Sequence, residues 1–287
     1  MRTFLAGATP GEQRRLERQA TRVRRERLQA PTVISREAQR QLLRARLSQD
    51  AHGFIFGGAG LPGLITKDEH DPDTPERPFP DKPYLRVTLD CLLVSGRYLA
   101  PHGATYALDW GLPLDLLTRL AHTGVLCVEK SRQVMMSWLL VSYLLWRAKF
   151  HPHQLILVQS KREDDAELLV YHKDPQMGRM SFLEAHLPED VQDLPFQNHM
   201  AASRLGTGAS NGHLYFPNGS RVWGIPQGGN IIRSNTCSCL FSDEAAFQPE
   251  FGLAYQAALP SIKGGGQGVF VSSAEVGDFA TLVEAPL

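Results

Sequence analysis

Three short runs carry residue types suited to phosphate chemistry. The first is Lys130-Ser131-Arg132-Gln133-Val134-Met135-Met136-Ser137. A phosphate-binding loop has the form G-x-x-x-x-G-K-[ST], in which backbone N–H groups cradle phosphates, the lysine neutralises them and the hydroxyl holds Mg2+. On that frame Ser137 takes the hydroxyl place, Met136 the lysine place, Met135 the second glycine and Lys130 the first. Lys130 and Arg132 add cationic heads at the start of a helix, where backbone N–H groups and the dipole already favour an anion.

The second run is Cys239-Leu240-Phe241-Ser242-Asp243-Glu244. An apolar strand delivering Asp and then Glu suits metal-assisted hydrolysis, because the Asp orients the cation's shell and the Glu polarises the attacking water. The third is Ser272-Ser273-Ala274, whose small hydroxyls can sense a terminal phosphate. Taken singly, each run also fits an ordinary loop before a core helix or a solvent-facing strand end. Their weight comes from their order and from the elements that carry them.

Those elements read as alternating strands and helices. Val125–Glu129 is a short apolar strand, and the helix over Val134–Trp146, VMMSWLLVSYLLW, follows the first run. Thirteen residues fall short of the ~20 needed to span a bilayer, so this helix is predicted to be buried in a protein core. Gln154–Ser160 is a second buried strand. Ser160 stands three residues before Glu163, which predicts a capping box and a helix to about Val170. Asn218-Gly219 between His213–Phe216 and Arg221–Ile225 predicts a hairpin. Cys237–Ser242 is a third strand and Gly268–Ser273 a fourth. Leu112–His122 reads as a short helix. Strand-helix alternation with apolar strands predicts an α/β fold whose mostly parallel sheet is covered by helices on both faces. In such sheets ligands bind at the C-terminal strand ends, where all three runs lie.

The rest of the chain is different in kind. The 287 residues carry 30 basic and 30 acidic side chains, a net charge of zero. Residues 1–46 hold 12 Arg, no Lys and 4 Glu, so a surplus of eight positive charges is balanced by an equal deficit in the remainder. A basic arm of this kind suggests an anionic partner, nucleic acid first, although a solvated helix needs none. The organisation predicted is a basic helical arm over 1–50, with helices over 12–29 and from Ser35 to about Leu47. A Gly/Pro-rich acidic linker with little regular structure follows over 51–83, then a single domain over 84–287. Four cysteines, Cys91, Cys127, Cys237 and Cys239, are too few for a disulfide scaffold and read as small buried hydrophobes. No export or membrane signal is visible.

Taken in order, EKSRQVMMSW, QSKREDDAELL, FPNGSRVWGIP, RSNTCSCLFSDEAAF and VFVSSA resemble the ATPase domain of a tailed-phage terminase large subunit, over roughly residues 84–283. The resemblance implies a P-loop NTPase fold of the additional-strand type and a motor that packages double-stranded DNA into a prohead, with ATP and Mg2+ as cofactors. It implies ATP contacts from Lys130 to Ser137, with Arg132 and Gln133 matching the family's R-Q. Ser137 and Asp243 would hold Mg2+, Glu244 would be catalytic, and Ser272, Ser273 and Ala274 would couple hydrolysis to movement. Arg233, eleven residues before Glu244, matches an arginine that reaches a neighbouring subunit's ATP. Implied partners are DNA, the small terminase subunit, the portal protein and further copies in a ring, in the host cytoplasm and away from membranes.

Two departures stand out. Met135 and Met136 replace the glycine and lysine of the loop, and no Gln occurs between residues 50 and 132, so no adenine contact is assigned. Terminase large subunits continue into a nuclease with clustered metal-binding carboxylates. Asp278 and Glu284 alone cannot build that two-metal site, so either the natural protein continues or this is a clipped form, and no DNA cleavage is expected of this chain. A non-hydrolysing relative that binds DNA or terminase partners stays open as the alternative.

Overall fold

The computed structural model describes Arg18 and residues 35–58, 60, 63–67, 76–132, 134–172, 177–193 and 212–284. The helix expected over 12–29 and Gln133 of the phosphate loop lie outside the described residues, Arg18 excepted. The chain divides into two units, residues 1–42 and 43–287. In the first, Ser35 Oγ accepts from the Ala38 backbone N–H at 3.1 Å and caps helix α1, Arg36–Leu47.

In the second unit the elements run α2 (Ala51–Phe56), β1 (Ile65–Lys67), β2 (Glu76–Pro78), α3 (Pro83–Ser95), α4 (Thr105–Asp109), α5 (Leu114–Thr123), β3 (Val125–Glu129) and α6 (Met136–Phe150). They continue through β4 (Leu155–Gln159), α7 (Glu163–Val170), α8 (Arg179–Ala185), β5 (His213–Tyr215), β6 (Arg221–Ile225) and α9 (Asn230–Arg233). The last are β7 (Cys239–Asp243), α10 (Phe251–Lys263), β8 (Gln267–Ser272) and α11 (Asp278–Glu284).

The stretch over 51–83 differs from its expected irregularity. It contains helix α2 and the antiparallel pair β1–β2, and Phe54, Ile55, Leu64 and Phe79 are all buried. Its glycines and prolines shape turns between short elements, while its apolar residues still find a core.

The main sheet has six strands in the order β3-β8-β7-β4-β6-β5. The first five run parallel, and β5 closes the edge as the antiparallel arm of the predicted hairpin. Gly219, at φ 84°, takes the left-handed position that this turn requires. The expected mixed α/β fold is therefore present. The strand that enters last, β8, lies between β3 and β7, which is the additional-strand arrangement.

Alternation along the strands separates two cores. Leu126, Ile156, Val158, Phe241, Val269 and Val271 face one side, in the core that includes α6. Val125, Leu157, Leu240 and Phe270 face the other, with Phe251 and Ala254 of α10. Each fully buried large apolar side chain contributes about 1.5–3 kcal/mol relative to exposure. Helix α6 is apolar all round because α2, α3, α8 and the sheet enclose it, so Tyr143, Leu145 and Trp146 are buried. No helix among the described residues is long and apolar enough to cross a membrane.

The last residues of α1, 43–47, belong to the second unit and are tied into it. Arg44 donates to Asp193 at 2.9 Å and to the Val191 carbonyl at 3.0 Å, and the Leu47 carbonyl accepts from Trp146 Nε1 at 2.8 Å. One local expectation fails. Helix α7 begins at Glu163 without a side-chain cap, so Ser160 forms no capping box; Ser160 is buried at the end of β4.

Candidate functional site

The strand order brings the three sequence runs side by side. The parallel register aligns Glu129 with Ser272 and Asp243 with Val271, so β3, β8 and β7 end at nearly one level. The chain leaving β3 stays bound to its neighbour, since the Lys130 N–H donates to the Ser272 carbonyl at 2.9 Å.

The loop then turns into α6 through Met135, whose φ of 57° and ψ of 14° are left-handed. A residue with a Cβ adopts that conformation at a cost of roughly 1–2 kcal/mol. The backbone therefore makes the curl that glycine would allow cheaply. Met136, at the lysine place, opens α6 with its side chain in the core and only 5% exposed. Ser131 and Arg132 are exposed on the loop. Two residues brace it from elsewhere. Tyr84 Oη donates to the Val134 carbonyl at 3.4 Å, and Arg77 Nη2 lies 3.7 Å from Met135 Sδ.

Ser137, one residue into α6, donates its hydroxyl to Asp243 Oδ2 at 2.7 Å. Asp243 ends β7 and is 6% exposed. Burial pushes its carboxyl above the ordinary range, opposed by the Ser137 hydrogen bond and by the positive charges of Arg179 and Lys130. Its other oxygen accepts from the Glu244 N–H at 3.1 Å. Gln248 Nε2 braces the strand end by donating to Ser242 Oγ and to the Asp243 carbonyl.

Glu244 has φ 52° and ψ 41°, a second strained residue at the same end of the sheet. Its carboxylate pairs with Lys161 at 3.5 Å, both side chains being nearly half exposed. On β8, Ser272 Oγ is buried with no hydrogen-bond partner among the described residues, while Ser273 is half-buried and Ala274 exposed. Arg233 ends the short helix α9, exposed, its Nη1 3.4 Å from Asn230 Oδ1. That loop is anchored by Gln159 Nε2, which donates to the Pro226 and Gly228 carbonyls.

A cleft of about 580 Å3 opens beside this cluster, lined by Trp138, Lys161, Arg162, Arg179, Asp243 and Glu244 among others. Arg162 forms a two-pronged pair with Asp165 at 2.9 Å, and the Arg179 guanidinium lies 5.6 Å from the Trp138 ring centre.

Among the described residues no group of three or more His, Cys, Asp or Glu side chains could hold a metal ion. Ser137 with Asp243 suits instead a small hard cation that keeps most of its ligands as water and phosphate oxygens. The thiols take no part in this chemistry: burial pushes Cys91, Cys127 and Cys239 up to about 12.

Sequence reasoning missed Arg179, Lys161, Tyr84 and Arg77. Lys161 carried a weak signal, one residue past a predicted strand; the others lie outside every motif.

Among solved structures, the chain is similar to the ATPase domain of the large terminase of Thermus phage P74-26, at 14% identity and a TM-score of 0.36. That match covers 55% of this chain and 62% of the other. A mutant of the same domain gives 16% identity and a TM-score of 0.32 over the same shares. This chain thus spans less than two thirds of the length of either. No protein-family model matches the sequence, and no curated protein is significantly similar to it.

Proposed function

We propose that this chain is the ATPase motor domain of a phage terminase large subunit, coupling ATP hydrolysis to translocation of double-stranded DNA into a prohead. The observation that carries the reading is the contact of the Ser137 hydroxyl with the buried Asp243, with Glu244 as the next residue. These groups come from two strand-end loops more than a hundred residues apart, and an additional strand separates their strands.

ATP would lie on the loop from Lys130 to Ser137, with Ser137 and Asp243 holding Mg2+. Mg2+ would neutralise charge on the phosphates. Glu244 orients the attacking water and takes its proton. To do so it leaves Lys161, and an exposed ion pair of this kind is worth only about 0–1 kcal/mol. The unpartnered Ser272 hydroxyl, with Ser273 and Ala274 beyond it, would sense the terminal phosphate from the adjacent strand. Arg233, exposed on its short helix, would serve the site of a neighbouring copy in a ring. DNA, the small terminase subunit and the portal protein are the partners, and the host cytoplasm the setting. The basic arm over 1–50 is a candidate DNA or small-subunit contact.

The second reading is a non-hydrolysing relative that binds DNA or terminase partners. Met136 favours it, because its buried side chain leaves no cation at the lysine place.

Steady-state ATPase of the Glu244→Gln variant, with calorimetry of Mg-ATP, tests both. The expected result is a loss of turnover of at least about 100-fold with binding retained. Unchanged turnover sinks the catalytic assignment. A wild-type chain with no affinity for Mg-ATP establishes the second reading.

A further inference from the structure

The phosphate loop carries Met136 at the lysine place, and the site still needs positive charge against a triphosphate. Met136 does not leave room for one: its side chain is part of the core, so a lysine there would bury its ammonium group. Lys130 and Arg132 are the cations of the loop itself, and any further one must come from outside it.

We propose that Arg179 supplies it, neutralising the terminal phosphate from helix α8 while Lys130 acts from the loop. The inference rests on the ATPase reading above. Two observations place Arg179. It lines the cleft together with Asp243 and Glu244. Its guanidinium lies over Trp138, the residue that follows the Ser137 hydroxyl, at 5.6 Å from the ring centre.

The residue type fits the task. A guanidinium is always charged, stacks on aromatic faces, and offers a planar fork that matches two phosphate oxygens. The cation–π contact with Trp138 restricts the side chain before the ligand arrives, which lowers the entropy lost on binding. A merely structural role, neutralising Asp243 and packing on Trp138, would not depend on how many phosphates the ligand carries. Discrimination between ATP and ADP is therefore the informative readout.

The test is calorimetric titration of the full chain with Mg-ATP and Mg-ADP, comparing wild type, Arg179→Met and Arg179→Lys, with thermal unfolding of each. Arg179→Met is expected to weaken ATP binding at least tenfold and ADP binding less than threefold. Arg179→Lys, which keeps the charge and loses the fork, is expected to weaken ATP binding by three- to tenfold with an unchanged Tm. Should the Met variant fail to fold, the Lys variant decides. Equal weakening of ATP and ADP, or no change in either, overturns the proposal while wild-type binding of ATP leaves the ATPase reading standing. A wild-type chain that binds neither nucleotide overturns both.

Discussion

The two ends of strand β8 treat buried polar groups in opposite ways. At its start, Gln267 uses its whole amide. Its Oε1 accepts from Tyr143 Oη at 2.8 Å and Arg147 Nη1 at 2.6 Å, and its Nε2 donates to Ser95 Oγ at 2.7 Å and the Leu92 carbonyl at 3.0 Å. Arg147 then reaches Gln154 and the Ser238 carbonyl, so the starts of β4, β7 and β8 share one network. At the other end, five residues on, the Ser272 hydroxyl is buried without a partner among the described residues. Around it stand an Asp held in a site that disfavours its charge and two non-glycine residues in left-handed conformations, Met135 and Glu244. Buried polar groups that satisfy one another rigidify a fold, whereas unsatisfied and strained ones keep capacity for a ligand. One end of the sheet satisfies its buried polar groups, and the other, where the proposed site lies, leaves some of them unsatisfied.

The contrast can be broken at three places, with expected changes in stability that fall from the first to the last. Gln267→Ala strips partners from Tyr143, Arg147 and Ser95 in the interior. It should cost about 3 kcal/mol in chemical denaturation, the scale expected when buried donors are left unmade. A loss within experimental error would show that the closed end is not what holds the sheet.

Asp243→Asn should act in the opposite direction. The folded-state pKa of Asp243 lies above its unfolded value. Its contribution is therefore fully present below the unfolded pKa and lost as pH rises through the folded one. An amide removes that pH dependence. It can still donate to Ser137 Oγ and accept from the Glu244 N–H. At neutral pH the variant is expected to gain about 1 kcal/mol in stability, as is common when an active-site residue is replaced. Mg2+ should raise the Tm of the wild type and leave that of the variant unmoved. A variant less stable than wild type at neutral pH would mean that the carboxylate is structural.

The smallest effect is expected at the loop. Met135→Gly removes the left-handed penalty and gives up part of a methionine's packing. The net change expected is a stabilisation of under about 1 kcal/mol, read from the urea midpoint at constant m. A clear destabilisation would show that the thioether, touched by Arg77, matters more than the backbone.

Much of this was readable without coordinates. The strands at 125–129, 155–159 and 221–225 follow from apolar runs and the Asn218-Gly219 turn, because side-chain alternation and turn chemistry are local. The burial of α6 follows from its apolar composition all round. The stretch 51–83 was misread because glycine and proline counts report on turns and miss the short apolar runs at Phe54–Ile55 and Phe79 that pack into the core. Ser160 was misread as a cap because its spacing to Glu163 fits the pattern, and strand β4 holds it buried. At the site, the runs that hold Ser137, Asp243, Glu244 and Ser272 were visible as motifs. Arg179 and Lys161 were not, since each earns its place only by what faces it across the cleft.

The sequence by itself determined the elements, their order and the residue types at their ends, because propensity, periodicity and turn chemistry act over a few residues. Only the tertiary structure decided that β8 lies between β3 and β7, that Ser137 meets Asp243, and that Arg179 lies over Trp138. Those outcomes depend on which apolar faces and strand edges pair across a hundred or more residues, and no local pattern carries that information.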